Sequence, residues 1–302
     1  QTINDTLNLV PGVSFTNNDP FGSLGGNFTI RGFSSDRISQ TFDGIPLNDS
    51  GSYALYTNQM VDPEIIEAAT VTLGSTDVDS PTAAAAGGTI NIRTKVPDDE
   101  FGVYTATTYG NIISRGNPGD RMMYRFFGKV ETGELTPGGL KAFFSASTTE
   151  NESTFSNYGG VNKQQYNGKI FQPLGDNGDF ISIAAHYNVN RNNFNGSSYE
   201  LKEGVKFPLQ EPEDRFYNLR DGTPCTVVTG VTGAVDTYNS CGTPFERRYN
   251  PSNTGNVRIN SLFTLSDKLT LTVDPSFQYV KANGGGTSVG FEGVSADGFT
   301  GG

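Results

Sequence analysis

The sequence predicts an α+β unit over residues 1–97, followed over residues 98–302 by strands of an antiparallel transmembrane β-barrel. Three observations point that way. The chain holds 38 Gly, 13 Tyr and 21 Phe in 302 residues, a composition that suits strands and tight turns better than helix bundles. The second part repeats runs of about ten residues with an apolar side chain at every other position, the length of a tilted membrane-spanning strand. The connections between those runs alternate between short and long, as periplasmic turns and extracellular loops do in outer-membrane barrels.

Charge and hydropathy narrow the function classes. The formal net charge is −11, with 21 Lys plus Arg, so the basic stripe that phosphate binding requires is missing and no nucleic-acid partner is expected. No window holds eighteen consecutive apolar residues, which excludes a transmembrane helix. A barrel is not excluded, because lipid-facing residues at every second position leave mean hydropathy low. No charged and apolar leader opens the chain, so Gln1 reads as a mature N-terminus or the start of a fragment. The final SADGFTGG favours a fragment, since it stops in a Gly-rich, loop-like stretch.

In the first unit, Ile3, Leu7 and Val10 share a helical face that Pro11 ends. Asp62-Pro63 resembles an N-cap followed by Pro at the first helical position, predicting a helix through PEIIEAA. FTIRGF, ISQTF, TVTL and TINIRT are short β-type runs. Asp43-Gly44 is a turn signal, and AAAAGG at 83–88 is a small-residue hinge.

From about residue 101 the runs lengthen. About seven strands are expected, near 102–109, 121–131, 139–149, 163–172, 179–190, 256–265 and 268–281. FISIAAHYNVN puts Ile181, Ile183, Ala185, Tyr187 and Val189 on one face and Ser182, Ala184, His186 and Asn188 on the other. KLTLTVDPSFQYV likewise sends Leu269, Leu271, Val273, Phe277 and Tyr279 one way and Thr270, Thr272, Asp274, Ser276 and Gln278 the other. VRINSLFTL, RMMYRFFGKV and GLKAFFSAS follow the rule more loosely. ETGELTPGG, PLGDNGD and SDK are the short connections; about 110–120, 150–162 and 191–255 are the long ones. The absence of Trp leaves Tyr109, Tyr124, Tyr187, Tyr279 and Phe171 to serve as interfacial aromatics.

Signals for catalysis or metal binding are weak. HExxH, GxSxG, P-loop and CxxC patterns are absent, and GSLGGNFTIRG is too irregular for a dinucleotide fingerprint. Asp77 with Asp79, and Asp176 with Asp179, read as turn residues rather than paired carboxylates or calcium ligands. Cys225 and Cys241 are expected to form a disulfide closing a loop worth on the order of 3 kcal/mol, with two free thiols as the alternative. The only histidine, His186, reads as a satisfied lumen residue rather than a haem ligand, so neither a metal nor a cofactor is expected.

IRGF, then FDGIPLND, then VTLGSTDVDSPTAAAAGGTINIRTK, with VPGV at 10–13, resemble the plug domain of TonB-dependent outer-membrane receptors. The resemblance covers about residues 1–95 and is architectural beyond that. It assigns motif roles to Arg31, Gly32, Asp43, Gly44, Pro46, Gly74, Gly87, Gly88 and Asn91. Arg31 and Asp43 would be held by buried or half-buried partners, whereas the residues alone also allow ordinary exposed strand ends. Leu73-Gly74-Ser75 replaces the family's common Arg-Gly-Pro, and Ser80-Pro81 its Tyr-Gly, which puts one charge contact between plug and barrel in doubt. No TonB-binding box is recognisable. Plugged transporters of this kind have about 22 strands, so the resemblance implies a fragment of a protein two to three times longer.

What the resemblance implies is active import across the outer membrane of a Gram-negative bacterium. The expected partners are a TonB-type energy-coupling protein of the inner membrane, outer-membrane lipid, and a small ligand such as a metal chelate or glycan. Ferric siderophores are preferred on family frequency, with carbohydrate or oligomer uptake as the alternative. Candidate ligand contacts are Phe33, Ser35, Arg37, Asn48, Tyr53 and Tyr56, together with the loop near 191–255. Two competing classes remain: a soluble or surface-attached β-rich binding or adhesion protein, and a glycan-cleaving β enzyme.

Overall fold

The computed structural model describes residues 2–49, 53, 55–57, 61–74, 85–112, 121–152, 160–192 and 251–282, plus short paired strands at 293–294 and 300–301. The expected disulfide and the Asp77/Asp79 pair lie outside the described residues.

The chain opens with helix α1 (Ile3–Leu7), where the Asp5 carboxylate reaches back to accept from the Thr2 amide at 2.7 Å and its hydroxyl at 3.1 Å. Ile3 and Leu7 are buried, and Val10 packs on the same core from the turn that follows. β1 (Val13–Asn17) and β2 (Gly26–Ile30) form an antiparallel ribbon. The central layer is a four-stranded sheet of β3 (Ile38–Phe42), β4 (Ile45–Pro46), β5 (Ile66–Leu73) and β6 (Gly88–Thr94), in the order β4-β3-β6-β5. The β3–β6 pair is parallel and sits in the middle, so its side chains face the interior on both sides and all five residues of β3 are buried.

One expectation fails here. PEIIEAA is not a helix: a 3-10 turn at Pro63–Ile65 leads straight into β5. The stretch supplies only seven helix-compatible residues, and the β-branched run beyond it pairs with β6 from Ile66↔Thr94 to Leu73↔Gly88. Asp62 makes no side-chain cap.

The second part is a single antiparallel sheet. β7 (Phe101–Ile112), β8 (Arg121–Glu134), β9 (Lys141–Glu152), β10 (Gly160–Leu174), β11 (Asp179–Asn192) and β12 (Ser252–Ser266) follow one another as neighbours, which is meander topology. The short connections are 135–140 and 175–178, so the Asp176/Asp179 stretch is a turn as expected. The seventh expected strand is broken in two, β13 (Leu269–Leu271) and β14 (Ser276–Ala282), both paired with β12. Pro275 has no N–H to give the ladder, and between the two pieces Ser261 takes over: its amide donates to Asp274 Oδ1 at 2.7 Å and its hydroxyl donates to the Val273 carbonyl at 2.9 Å.

The face assignment for β11 holds. Ser182, Ala184, His186 and Asn188 are buried, while Ile183, Ala185 and Tyr187 are exposed. In β13 and β14 the alternation persists in register, with Phe277 opposite Val257, yet the Thr, Ser and Gln face is exposed as well. RMMYRFFGKV read loosely because Arg121, Arg125 and Lys129 occupy every fourth position and all point inward with Phe127. The buried face of the wall lies against the first unit. Phe127 and Phe143 of the wall join Ile38, Phe42, Ile90 and Ile92 of that unit in one apolar core.

Candidate functional site

The first unit meets the wall at two ionic contacts, and both follow from local turns. Asp43 and Gly44 have φ of 47° and 89°, the pair of positive values a two-residue β3–β4 turn of the I′ kind requires. Glycine adopts this freely and Asp tolerates it. The turn carries the Asp43 carboxylate to the wall, where Arg258 Nε donates to Oδ2 at 2.7 Å and Nη2 stands in an ion pair with the same oxygen at 2.7 Å. The Thr94 amide donates to Oδ1 at 2.8 Å and the Thr94 hydroxyl to Oδ2 at 2.6 Å. Lys169 Nζ in turn donates to the Thr94 hydroxyl at 3.0 Å, and Asn260 Nδ2 to the Asp43 carbonyl at 3.2 Å. Burial pushes the Asp43 carboxyl up, but the Arg258 and Lys169 charges and the Thr94 bonds outweigh it and hold the group below its ordinary value. The Arg258 guanidinium lies 4.0 Å from the Phe42 ring centre, and His186 meets the same ring edge-on at 6.1 Å. His186 Nδ1 is hydrogen-bonded to Asn167 Oδ1 at 2.6 Å, so the histidine is a satisfied wall residue.

The second contact starts at Asp62, the residue expected to cap a helix. Arg125 donates to Asp62 Oδ1 at 2.9 Å and to the two Glu64 oxygens at 2.7 and 2.8 Å, a forked pairing. The Ser147 hydroxyl lies 2.9 Å from both Asp62 oxygens. Asp62 precedes the 3-10 turn and Glu64 lies within it.

The other singled-out residues gather at the opposite end of β3 from Asp43. Asn48 Nδ2 donates to the Ile38 carbonyl at 2.7 Å and the Tyr53 carbonyl at 2.8 Å, while its Oδ1 accepts from the Gln40 amide at 2.9 Å. These bonds fasten the segment carrying Tyr53 beside Arg37, and hold Tyr53 at φ 58°, a strained value for an aromatic residue. Asn48 thus spends its amide on backbone and positions the segment that carries Tyr53. Phe33, Tyr53 and Tyr56 are 44%, 47% and 50% exposed, and Ser35 and Arg37 stand beside them. Arg37 pairs with neighbouring Asp36 at 3.6 Å.

Arg31 departs from expectation too. It is exposed and makes no ion pair among the described residues; its guanidinium lies across Gly74, where an added β-carbon would meet Nη1 at 2.5 Å. Gly74 thus leaves room for the arginine. Gly87 accommodates Phe33 in the same way and donates its N–H to the Arg37 carbonyl at 2.8 Å. Asn91 on β6 accepts from the Thr41 hydroxyl at 2.7 Å, and the Pro46 carbonyl accepts from Gln278 of the wall. Gly32 and Gly88 have φ of 82° and 138°.

Arg125, Arg258, Lys169 and Glu64 were not singled out from sequence, and Asp62 only as a helix cap. The available signal was a cation at the inward-facing parity of a strand otherwise apolar on its other face. Among the described residues no group of three His, Cys, Asp or Glu is arranged to hold a metal.

Residues 1–89 match the family model of the TonB-dependent receptor plug domain. That segment is therefore similar to the plug domain of TonB-dependent receptors. A search of curated proteins finds no match. Solved structures with the same architecture include the siderophore receptor PiuA from Acinetobacter baumannii, at 18% identity and TM-score 0.58 over 93% of this chain and 34% of that one. The ferric citrate transporter FecA in its unliganded form gives 17% identity and TM-score 0.63 over 93% and 37%. The ferric yersiniabactin uptake receptor FyuA from Yersinia pestis gives 17% and 0.58 over 91% and 38%. The chain thus spans a little over a third of the length of these receptors. At such identities the likeness is one of fold: a plug packed against a meander of wall strands. In the plug, Asp43, Asp62 and Glu64 make the ionic contacts to that wall among the described residues.

Proposed function

We propose that this chain is the plug and the first wall strands of an outer-membrane receptor that imports a scarce ligand, driven by a TonB-type protein of the inner membrane. One observation carries the reading. The wall is apolar on its exposed face and polar on its buried one: Phe126, Phe144, Ile170, Ile183 and Phe277 are 43–66% exposed, whereas Ser145, Asn167, Lys169, His186, Asn188 and Arg258 are buried. A sheet in water has the reverse arrangement, so lipid is the medium that fits the outer face. That face also argues against a soluble β-rich binding protein, which would leave an apolar patch this wide uncovered.

The plug spans residues 1–97 in this reading and the wall 98–302; the loop expected near 191–255 lies, apart from the ends of β11 and β12, outside the described residues. The 135–140 and 175–178 turns face the periplasm. Phe33, Ser35, Arg37, Tyr53 and Tyr56 then lie at the outward end of the plug, where a ligand arrives. A ferric chelate is the ligand class, supported by neighbours that are named as siderophore and ferric citrate receptors. The activity is transport rather than catalysis.

The test is extraction and gel mobility of the protein from membranes, followed by uptake of an iron-loaded chelate with and without the TonB-type partner. Detergent-dependent solubility, mobility that shifts on boiling and partner-dependent uptake are expected. A water-soluble species with no mobility shift overturns the reading.

A further inference from the structure

The outward face of the wall carries a cleft that neither the plug nor the inward side chains use. Residues of β9–β12 and β14 meet there in register. One rung runs through Phe144, Gly168, Ala185, Val257 and Phe277; the next, toward the long connections, runs through Ala146, Tyr166, Tyr187, Gly255 and Tyr279. Gly168 and Ala185 put little bulk in the middle of the first rung, so Phe144 on one side and Val257 with Phe277 on the other wall a cleft of about 440 Å³. A β-carbon added at Gly168 would meet nothing closer than 3.6 Å, so no neighbour fills the space. The Tyr187 ring lies over Gly255, where an added β-carbon would come within 2.9 Å of Cδ2. This tilt brings the Tyr187 hydroxyl to Asn253, whose Nδ2 donates to it at 3.0 Å.

Two cations converge on the same asparagine. Arg191 shares the outward parity of β11, and its Nη1 donates to Asn253 Oδ1 at 2.7 Å and to the Asn190 and Ser252 carbonyls at 2.9 and 3.1 Å. Those bonds fix the guanidinium beside Asn253. Lys281 of β14 is the cross-strand partner of Asn253 on its other side and is exposed. Such partners stand about 4.5–5.5 Å apart at their β-carbons, so the two cations flank one amide. Neither makes an ion pair among the described residues. The acid in register with Arg191 is Glu150, two strands away, and it accepts from the intervening Asn162 at 2.8 Å. Two like charges held together without a counter-charge favour an anion between them, and arginine suits the oxygens of a phosphate.

The spacing of cleft and cations selects the occupant. From Asn253 to Val257 is four residues of strand, about 13 Å, which sets the cations one headgroup's reach beyond the apolar cleft. Tyr166, Tyr187 and Tyr279 lie between the two at a single level, as amphipathic rings do where lipid meets water. A soluble anion has no use for the cleft, and an uncharged hydrocarbon has none for the cations.

We infer that cleft and cations form one binding site for a phosphorylated acyl lipid of the outer leaflet, with an acyl chain over Gly168 and Ala185 and the phosphate held by Arg191 and Lys281. The inference rests on the import reading, which puts this face in lipid and the long connections outside. It goes beyond that reading in distinguishing one lipid from the bulk.

The experiment is native mass spectrometry of the detergent-purified receptor titrated with lipid A, phosphatidylcholine and inorganic phosphate. Lipid A is expected to be retained in preference to phosphatidylcholine, whose own ammonium balances its phosphate, and inorganic phosphate is expected not to be retained. Arg191→Gln and Lys281→Gln are each expected to weaken lipid A binding about fivefold, the worth of one cation near a membrane surface. Gly168→Leu, which fills the cleft and leaves both cations in place, is expected to weaken it a few-fold. Lys268→Gln, in the turn at the far end of β12, is expected to leave it unchanged. Boil-dependent gel mobility reports whether each variant is folded. The inference is overturned by retention of phosphatidylcholine or inorganic phosphate to the same degree as lipid A, or by an equal loss in Lys268→Gln. Unaltered affinity in the folded Gly168→Leu variant or in the folded Arg191→Gln, Lys281→Gln double variant overturns it as well. All of these outcomes leave the import reading standing, whereas a water-soluble protein with no mobility shift removes both.

Discussion

The plug sheet buries its large apolar side chains, with Ser39, Gln40 and Thr89 among them, whereas the wall sheet buries mostly polar side chains and turns most of its large apolar ones outward. In the plug, Ile38, Phe42 and Ile90 are fully buried and Ile92 nearly so, and the strands around them show polar groups to the outside. In the wall, Ser145, Asn188 and Asn190 are fully buried, while Ile183 is 43% and Phe126 53% exposed. A strand pattern alone reports that two faces differ. Which face goes inside depends on what lies beyond each, and in the wall the interior is a polar plug with its own carboxylates. In the import reading proposed above, the apolar residues are left outward because lipid lies there.

The contrast can be broken most directly at the ionic contact that joins the two sheets. Arg258→Ala leaves the Asp43 carboxylate, with a side chain only 5% exposed, without its counter-charge. A loss of about 3–5 kcal/mol in the stability of the seated plug is expected, read as the urea concentration at which the plug leaves the wall. Combining it with Asp43→Asn should restore much of that loss. A single variant as stable as the unsubstituted protein would show that this pair does not hold the sheets together.

A matched pair of truncations tests the inversion itself. Ile90→Ala in the plug should cost about 2–5 kcal/mol through the cavity it opens. Ile183→Ala, the same chemistry on the outer face of the wall, should cost far less in detergent, because detergent chains fill the space. Equal costs by thermal unfolding would mean that both isoleucines sit in equivalent cores.

Acidification sharpens the comparison further. The folded Asp43 carboxyl titrates below its ordinary value of 3.8. Its contribution is therefore complete above that value and is lost as pH falls through the lower, folded one. Plug seating should stay level from neutral pH to about pH 5 and loosen only below about pH 3.8, with this component missing in Asp43→Asn. Loosening between pH 7 and 5 would assign the seating to other groups.

The smallest effect is expected at Arg93 and Glu67, a 3.1 Å pair on exposed plug side chains. Arg93→Ala should change stability by less than about 1 kcal/mol, the range of solvent-screened pairs. A larger loss would mean that Arg93 meets a partner in the assembled receptor.

Much of this molecule was legible in its sequence because strands and tight turns obey local rules. The period of two assigned both faces of β11, Asp43-Gly44 marked the β3–β4 turn, and the plug motifs pointed to the plug domain that residues 1–89 match. Those readings depend on side-chain parity and on backbone angles that only certain residues adopt, which neighbouring residues suffice to define. The helix expected at PEIIEAA and the unbroken strand across Pro275 were misjudged, since each was settled by a distant partner: β6 for β5 and Ser261 for the break. The pairing of Asp43 with Arg258, 215 positions along the chain, was out of reach for the same reason. A charge announces that it needs a counter-charge, but only the folded wall decides which one stands within 2.7 Å of it.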